Sequence, residues 1–581
     1  MGGFLGALRR RMEVADPSRE AFIFVGAEST PRRTEGEGPR VRTLTYGELD
    51  RQARQLAAWL QSQGGAAQRV LLPYCDGPLQ ITALLGCFYA GATAVPCPSP
   101  LDGGRNVRRL TAVAKDADVS LALADSAVAA ELSRLFAGSD LVCLAADRAA
   151  LPDPEDWRPT VAVDEDIALI QYTSGSVTQV KGVLISHRNL VAGQEAITRA
   201  LGTDEHAVIG GWLPPYHDMG LVGQLLHPLH VGALGVVMSA AAFAARPLSW
   251  LRMIDRYGIT VSGGPDYAYD MCVRAATEDE VARLDLSRWR VAVNGAELVR
   301  EATMAAFAER FAPAGFRTEA FYPAYGLAEA TLLVTGGRPG QPPVERAVDS
   351  TALAGGRLAE PRKGVLSRTL VGVGRPYGVD IRIVDPENRQ VLPPGRVGEI
   401  WIRGESVAPG YWRRRAETEE TFGAVTSAHD GSFLRSGDLG AVDEHGELFV
   451  IGRLKEGVVV NGVDVAPEDI ETSVQGLNPK FGVTAAVTTG PEHDRLIVIQ
   501  EVRENGLLDG ELPSLAKAVQ THLDGEFGIP DAVILLVRQG VVRRTTSGKL
   551  QRSAMRGLLR SGGIRPLYPH VPVFQADLSP S

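Results

Sequence analysis

Cysteine is scarce in this chain. Only Cys75, Cys87, Cys97, Cys143 and Cys272 occur in 581 residues, with no CxxC pair and no histidine nearby at zinc-ligand spacing. An odd, scattered set excludes a disulfide framework and a zinc finger, and it suits a reducing cytosol. Excess positive charge is missing too: 60 Lys and Arg against 69 Asp and Glu leave a net charge of -9. That removes the electrostatic footprint expected for nucleic-acid or anionic-membrane binding. No apolar run reaches the roughly 18 to 20 residues needed to cross a bilayer. The longest, Val231 to Ala245, is rich in Gly and Ala and reads as buried core. No GxSxG elbow exists, which removes the usual serine-hydrolase signature. The start, "MGGFLGALRRRMEVADPSRE", puts its arginines after a short apolar run, the wrong order for a secretory leader, and Gly6 stands where a myristoylation signal has Ser or Thr. The expectation is a cytoplasmic enzyme or binding module that handles small molecules or proteins.

What the chain does have is alternation. Strand-like runs alternate with helix-period runs, which predicts an α/β fold of mixed or parallel sheets covered by helices. "LTYGELDRQARQLAAWLQSQG" has helical spacing and closes in Gly, and "RVLLPYC" and "GATAVPCPSP" read as strands ending in turns. The same unit recurs as "IALIQYTSG" before "HRNLVAGQEAITRAL", "ITVSGGP" before "YAYDMCVRAAT", and "WRVAVNGAE" before "REATMAAFAERFAPAG". Such turns are expected to gather at one edge of a sheet. Thr351 to Ser367 is rich in Gly, Pro and charge and reads as a surface insertion. Antiparallel strands around a "DPEN" turn follow, and a small α+β unit begins near Lys455.

The stretch "QYTSGSVTQVKGVLISH", Gln171 to His187, places hydroxyls and a glycine ahead of Lys181. A turn of this kind can aim backbone N–H groups and hydroxyls at one anion, with the lysine supplying charge. It is not a Walker loop, because Val180 takes the glycine position and no helix-opening Ser or Thr follows Lys181. "VGVGRPYG" is likewise not a dinucleotide fingerprint, since its third glycine is misplaced and a strand follows.

Four further stretches accompany the turn: "GWLPPYHDMGLVG" with Tyr216, His217 and Asp218; "FYPAYGLAEATLLV" with Tyr325 and Glu329; "FLRSGDLGAVDEHGELFVIGRLKEG" with Asp438 and Arg453; and "VVRRTTSGKLQR" with Lys549. Alone, each is an ordinary turn or solvated loop. All five in this order resemble the adenylate-forming superfamily of acyl-CoA synthetases, luciferases and peptide-synthetase adenylation domains, from about Leu44 to Arg556. Within it the chain most resembles the fatty acyl-AMP ligases, through "WLPPYHDMGLVG", "SGGPDYAYDMC", "VNGAE", "AYGLAEATLLV" and the insertion ahead of "VGVGRP".

The resemblance implies a large N-terminal adenylate-forming domain over 1–454, of mixed sheets with helices plus a small β subdomain, with the insertion near 351–367. A small, mobile α+β C-terminal domain over 455–581 would carry the catalytic Lys549. ATP and Mg²⁺ are the implied cofactors. Thr173, Ser174, Gly175, Ser176 and Lys181 would hold the β- and γ-phosphates, and Lys549 would bridge the attacking carboxylate and the α-phosphate. Glu329 would bind Mg²⁺. Tyr325, with the turn glycine Gly326, would face the adenine, whose other edge would meet Asn294, Gly295 and Ala296. Asp438 would accept from the ribose hydroxyls with Arg453 beside it, and His217 would sit beside the acyl carboxylate. Attack of a carboxylate on a triphosphate brings negative charges together, so neutralisation and positioning carry most of the catalysis.

The chain departs from its relatives' pattern at several positions. Val177 and Thr178 stand where Thr and Gly are common, Ala328 replaces a Thr that many adenylate-formers carry, Glu456 replaces a hinge Asp, and Ala466 replaces an aromatic. The implied reaction is activation of a fatty acid to acyl-adenylate with release of pyrophosphate. Acyl transfer to the phosphopantetheine thiol of an acyl carrier protein would follow, in polyketide, peptide-synthetase or lipid biosynthesis. Arg552, Arg556 and Arg560 recur every fourth residue and would offer a basic stripe to an acidic carrier, with Leu550, Met555, Leu558 and Leu559 inward. The alternatives are a fatty acyl-CoA synthetase and a catalytically weak adenylate-fold binding protein.

Overall fold

Thr45 opens the first long helix, Tyr46–Ser62, through a capping box: its hydroxyl accepts from Glu48 N (3.2 Å) and its N–H donates to the Glu48 carboxylate (2.9 Å). Leu49, Ala53, Leu56 and Leu60 recur at helical spacing and are buried. They pack on helix Leu79–Ala90, where a Cβ at Gly86 would lie 2.8 Å from the Leu56 Cβ, so the two helices cross closely because Gly86 is small. The computed structural model describes residues 3–14, 16–26, 41–64, 68–74, 77–160, 163–173, 180–362, 367–454, 458–460, 463–465, 467–490, 493–503, 510–527, 529, 532–544 and 550–568.

Three sheets position the site. A six-stranded sheet runs Val142–Ala145, Leu121–Ala124, Arg69–Pro73, Thr93–Cys97, Ile167–Tyr172 and Gly182–Ser186, parallel except for its last pair. A nine-stranded sheet has a parallel centre of Phe321–Gly326, Val291–Asn294, Val261–Gly264, Val208–Gly211, Leu234–Met238 and Glu20–Val25, with antiparallel strands at both edges. The central strands are nearly continuous apolar runs because helices cover both faces. The third sheet is antiparallel, built on Val379–Val384, Gly398–Gly404 and Ser432–Val442, and it forms the β subdomain.

The expectation that the strand-end turns share one sheet edge needs correction. Thr173 leaves the six-stranded sheet, Gly295 and Gly326 leave the nine-stranded sheet, and Asp438 comes from the antiparallel sheet. The turns meet where the three sheets converge.

The apolar run divides. Strand Leu234–Met238 is largely buried, whereas Ala241, Ala244 and Ala245 are exposed on the surface helix Ala240–Ala245. The 351–367 segment is anchored at its base by antiparallel pairing of Glu345–Asp349 with Ser367–Val371. Asp349 caps the short helix Ser350–Ala354, and Leu358 is buried with Val348, Leu370, Ala441 and Phe449. Residues 363–366 lie outside the described residues.

The C-terminal unit is a three-stranded sheet of Phe481–Gly490, His493–Val502 and Val533–Arg538, covered by helices Pro467–Gly476, Glu511–Phe527 and Arg552–Arg560. Here the basic stripe is corrected. Arg552 is 5% exposed and forks onto Glu471 at 2.9 and 2.7 Å, so it is part of the unit's interior. Met555 and Leu559 are buried as expected, Arg556 is half-buried, and only Arg560 of the three arginines is exposed. Among the described residues, no helix is long and apolar enough to cross a membrane.

Candidate active site

A cavity of about 890 Å³ opens where the sheets converge, and Arg544, Leu550 and Gln551 of the C-terminal unit form part of its wall. The Arg544 guanidinium lies 5.7 Å from the Tyr267 ring centroid across this junction.

One wall begins where strand Ile167–Tyr172 ends. Thr173 lines the cavity, and its N–H donates to the Lys181 carbonyl at 3.1 Å. Ser174, Gly175 and Ser176, together with Val177 and Thr178, lie outside the described residues. Lys181 does not line the cavity; its Nζ pairs with Glu417 Oε2 at 2.6 Å and sits 5.3 Å above the Tyr411 ring.

Tyr411 belongs to a segment that extends the six-stranded sheet, with Leu184 N donating to Gly410 O (3.0 Å) and Trp412 N to Gly182 O (2.8 Å). Its phenol donates to Glu329 Oε1 at 2.9 Å. Glu329 follows a turn that requires glycine: a Cβ at Gly326 would lie 1.8 Å from the Leu332 carbonyl oxygen. Both Gly326 and Glu329 line the cavity.

His217 and Asp218 come from the facing loop and line the same space. Gln171 Nε2 donates to Tyr216 O at 2.7 Å and fastens that loop to the six-stranded sheet. The chain then doubles back so tightly that a Cβ at Gly220 would lie 2.3 Å from the Pro214 carbonyl oxygen. It continues as a π-helix, Met219–Leu226, a wide-turned element that recurs at functional sites.

Opposite, Asp438 and Arg453 are register partners on adjacent antiparallel strands. Asp438 Oδ2 accepts from the Tyr325 phenol at 2.8 Å, and Arg453 Nε lies 3.1 Å from Oδ1. Gly295 and Ala296 line the cavity, and Ala296 adopts φ +68, a left-handed conformation uncommon for a residue with a Cβ. Asn294 is turned away from it: fully buried, its Nδ2 donates to Asp266 Oδ1 at 3.0 Å. Its side chain braces the strand end, and Asn294 is not among the residues that line the cavity. Lys549 lies outside the described residues, but Arg544 and Leu550 on either side of it are bridge partners and line the cavity.

The lining also includes apolar side chains, among them Ile197 and Leu201 from helix His187–Leu201 together with Ile209, Leu213 and Val261. The lining therefore combines charged and polar groups with apolar ones able to pack against a hydrocarbon.

The family profile described as "AMP-binding enzyme" matches residues 14–412. The medium-chain fatty acid–acyl-carrier-protein ligase JamA of Moorena producens is 38% identical over 534 residues, covering 89% of this chain and 90% of that protein. A long-chain fatty acid–AMP ligase of Mycobacterium tuberculosis is 34% identical over 92% of this chain and 93% of its own length. The chain is an AMP-binding enzyme of the fatty acyl-AMP ligase branch. A crystal structure of a fatty acyl-adenylate ligase from Legionella pneumophila, in complex with acyl adenylate and pyrophosphate, superposes with a TM-score of 0.74 at 34% identity over 96% of each chain.

In this ligase, burial pushes the Glu329 carboxyl above the usual carboxylate range, the Tyr411 hydrogen bond partly offsets it, and nearby Asp218 adds to the rise. Burial also raises the Tyr325 phenol well above its ordinary value, with Asp438 reinforcing the effect, so the phenol stays a donor. Among the described residues, no group of three or more His, Cys, Asp or Glu could hold a metal unaided. Mg²⁺ usually takes one or two carboxylates and completes its shell with phosphate and water, and Glu329 beside Asp218 fits that donor set.

Sequence reasoning missed three residues that touch predicted site residues without lining the cavity. Arg109 Nη2 donates to Thr173 O at 2.6 Å and to Tyr172 O at 3.3 Å, bracing the strand end that opens the phosphate turn. Tyr411 and Glu417 are the others. None carries a local signal, because each meets its partner across a long separation in the chain.

Proposed function

We propose that the protein activates a fatty acid with ATP and passes the acyl group to a carrier-bound thiol. In the first step a carboxylate oxygen attacks the α-phosphorus of ATP, the bond to the β-phosphate bridging oxygen breaks, and pyrophosphate leaves. In the second, a phosphopantetheine thiol loses its proton to solvent, its sulfur attacks the acyl carbon, and AMP departs. The mixed lining of this one cavity supports this reading, because it offers apolar side chains for a hydrocarbon tail and charged and polar groups for a nucleotide within the same space.

Thr173 through Ser176 and Lys181 would hold the β- and γ-phosphates, and Lys549 would neutralise charge at the α-phosphate. Asp438 would accept from the ribose hydroxyls, braced by Tyr325 and Arg453, while Gly295 and Ala296 would border the adenine. Glu329, oriented by Tyr411, would hold Mg²⁺ with Asp218 nearby. When bound, that ion would offset phosphate charge as the leaving group departs. The unit from 455 onward would turn as a body between the two steps, with 1–454 as the fixed part.

An acyl carrier protein is the favoured acceptor, supported by the acyl-carrier-protein ligase among the relatives. The test is mass spectrometry of products from ATP, Mg²⁺ and a mixed fatty-acid pool, with coenzyme A and a phosphopantetheinylated carrier protein supplied in parallel. Acyl-AMP and acyl-carrier with little acyl-CoA is the expected result. Abundant acyl-CoA would make the protein a synthetase, and turnover that survives Lys549→Ala would remove that residue's role.

A further inference from the structure

Lys181 is not idle in the structure. Its ammonium lies 2.6 Å from Glu417 Oε2, with the two side chains 43% and 40% exposed. Several contacts anchor the segment that leads into Glu417. Trp412 Nε1 donates to Asp116 O (3.0 Å), Arg414 Nη2 pairs with Asp116 Oδ1 (2.9 Å), and Tyr411 N donates to Thr418 Oγ1 (3.0 Å). Glu417 also lies in the first turn of helix Arg415–Phe422, where the helix dipole favours a negative charge. Both side chains are partly exposed, so the pair is not sealed in the interior, although Glu417 Oε2 itself is covered. A fully buried pair could not open so cheaply.

We infer that Glu417 is an internal anion that competes with nucleotide phosphate for Lys181, weakening the hold on ATP and speeding release of pyrophosphate. The inference rests on the reading of Lys181 as a phosphate-binding cation. ATP and pyrophosphate both present the terminal phosphate charge that must displace Glu417. An acyl-adenylate keeps only the α-phosphate and does not call on Lys181, so the competition acts on the entering and leaving groups and spares the intermediate. Tyr411 joins this exchange to the rest of the site, since the ring beneath Lys181 carries the hydroxyl bound to Glu329.

The experiment compares Glu417→Gln, Lys181→Ala and the double variant, measuring KM for ATP, the inhibition constant of pyrophosphate in acyl-adenylate formation, and acyl transfer from supplied acyl-adenylate to a carrier thiol. Partly exposed ion pairs contribute about 1.5- to 5-fold in an equilibrium constant. Glu417→Gln is therefore expected to lower both the ATP KM and the pyrophosphate constant by about that factor, with transfer from acyl-adenylate unchanged and no effect in the Lys181→Ala background. Unchanged or weaker ATP and pyrophosphate binding in Glu417→Gln, or the same gain without Lys181, overturns the inference. If Lys181→Ala alone leaves ATP binding intact, the phosphate role of Lys181 fails first; if it weakens ATP while Glu417→Gln changes nothing, only the competition fails.

Discussion

The Tyr411 phenol donates to Glu329 Oε1 at 2.9 Å, joining two residues 82 positions apart. The bond lowers the Glu329 pKa against the upward push of burial. Tyr411→Phe removes the lowering contribution, so Glu329 needs a higher pH to ionise. The acid limb of the pH profile for acyl-adenylate formation is expected to move upward, with activity near neutrality falling roughly tenfold, the scale of one hydrogen bond to a charged group. A pH–rate comparison with wild type, at saturating and limiting Mg²⁺, checks it; an unmoved acid limb would separate Tyr411 from Glu329.

Breaking the Arg552–Glu471 fork should unfold the C-terminal unit more readily, and its effect on carrier docking should be secondary. Glu471 Oε1 also accepts from Ala486 N at 2.9 Å, so the carboxylate ties helix Pro467–Gly476 to the sheet as well as to Arg552. Arg552→Ala strips the forked guanidinium from a buried carboxylate, a loss of about 3 to 5 kcal/mol in comparable cases. Thermal unfolding is expected to show an early transition for this variant and near-normal stability for Arg560→Glu. Carrier-transfer kinetics in Arg560→Glu then test the remaining exposed basic position separately.

How much could be read before the structure depends on where each residue's partner lies. The helix read in "LTYGELDRQARQLAAWLQSQG" and the strand–turn–helix units Val261–Gly264 to Asp266–Ala275 and Val291–Asn294 to Glu301–Phe311 are patterns written within a few residues and are present, whereas between Ile167–Tyr172 and helix His187–Leu201 the strand Gly182–Ser186 intervenes. Tyr411, Glu417 and Arg109 were invisible because their roles come from segments that only the sheet convergence brings together. Arg552 shows the limit of periodicity, which identifies a helix face but not what the face meets. Asn294 shows the same limit for a strand end. The motif "VNGAE" marks the turn correctly, yet alternation alone does not say that its first polar side chain points inward to Asp266.

Two buried histidines, His187 and His227, and the half-buried His230 predict an acid-sensitive fold. Burial lowers His227 to about 3, and His187 and His230 to about 4, from an ordinary 6.5. Each is neutral in the folded protein, while the unfolded chain takes up a proton once the pH drops below about 6.5. Stability from this source is full above that value, falls as pH drops, and levels off near pH 3 to 4. Each histidine contributes a slope of up to about 1.4 kcal/mol per pH unit. His227 bridges Gln194 Oε1 (2.7 Å) and Thr203 Oγ1 (2.8 Å), so His227→Gln should lower the melting temperature at pH 7.5 yet flatten its fall toward pH 5. Buried carboxylates such as Glu329 act in the opposite sense, so the wild-type and variant slopes are compared with each other. Equal slopes would mean that His227 already takes up a proton in the native state.

Chain length is expected to be adjustable at Gly223. This residue lies in the π-helix and lines the cavity, and an added Cβ would meet only Leu332 Cδ2, at an ordinary contact distance of 3.4 Å. A side chain there can be accepted without moving backbone and will take space from the bound substrate. Each excluded methylene gives up about 0.8 kcal/mol of burial. Gly223→Leu should therefore shift the preferred fatty acid toward shorter chains by about two to four carbons, with kcat/KM for the longest substrates falling tenfold or more. The ATP KM should stay unchanged, because Tyr325, Asp438 and Arg453, the residues proposed to meet the nucleotide, lie on other elements. Competition between chain lengths in one reaction, read by mass spectrometry, reports the shift directly. An unaltered preference would mean that the hydrocarbon runs along Ile197 and Leu201 without approaching the π-helix, and the same assay on Leu201→Trp would then locate it.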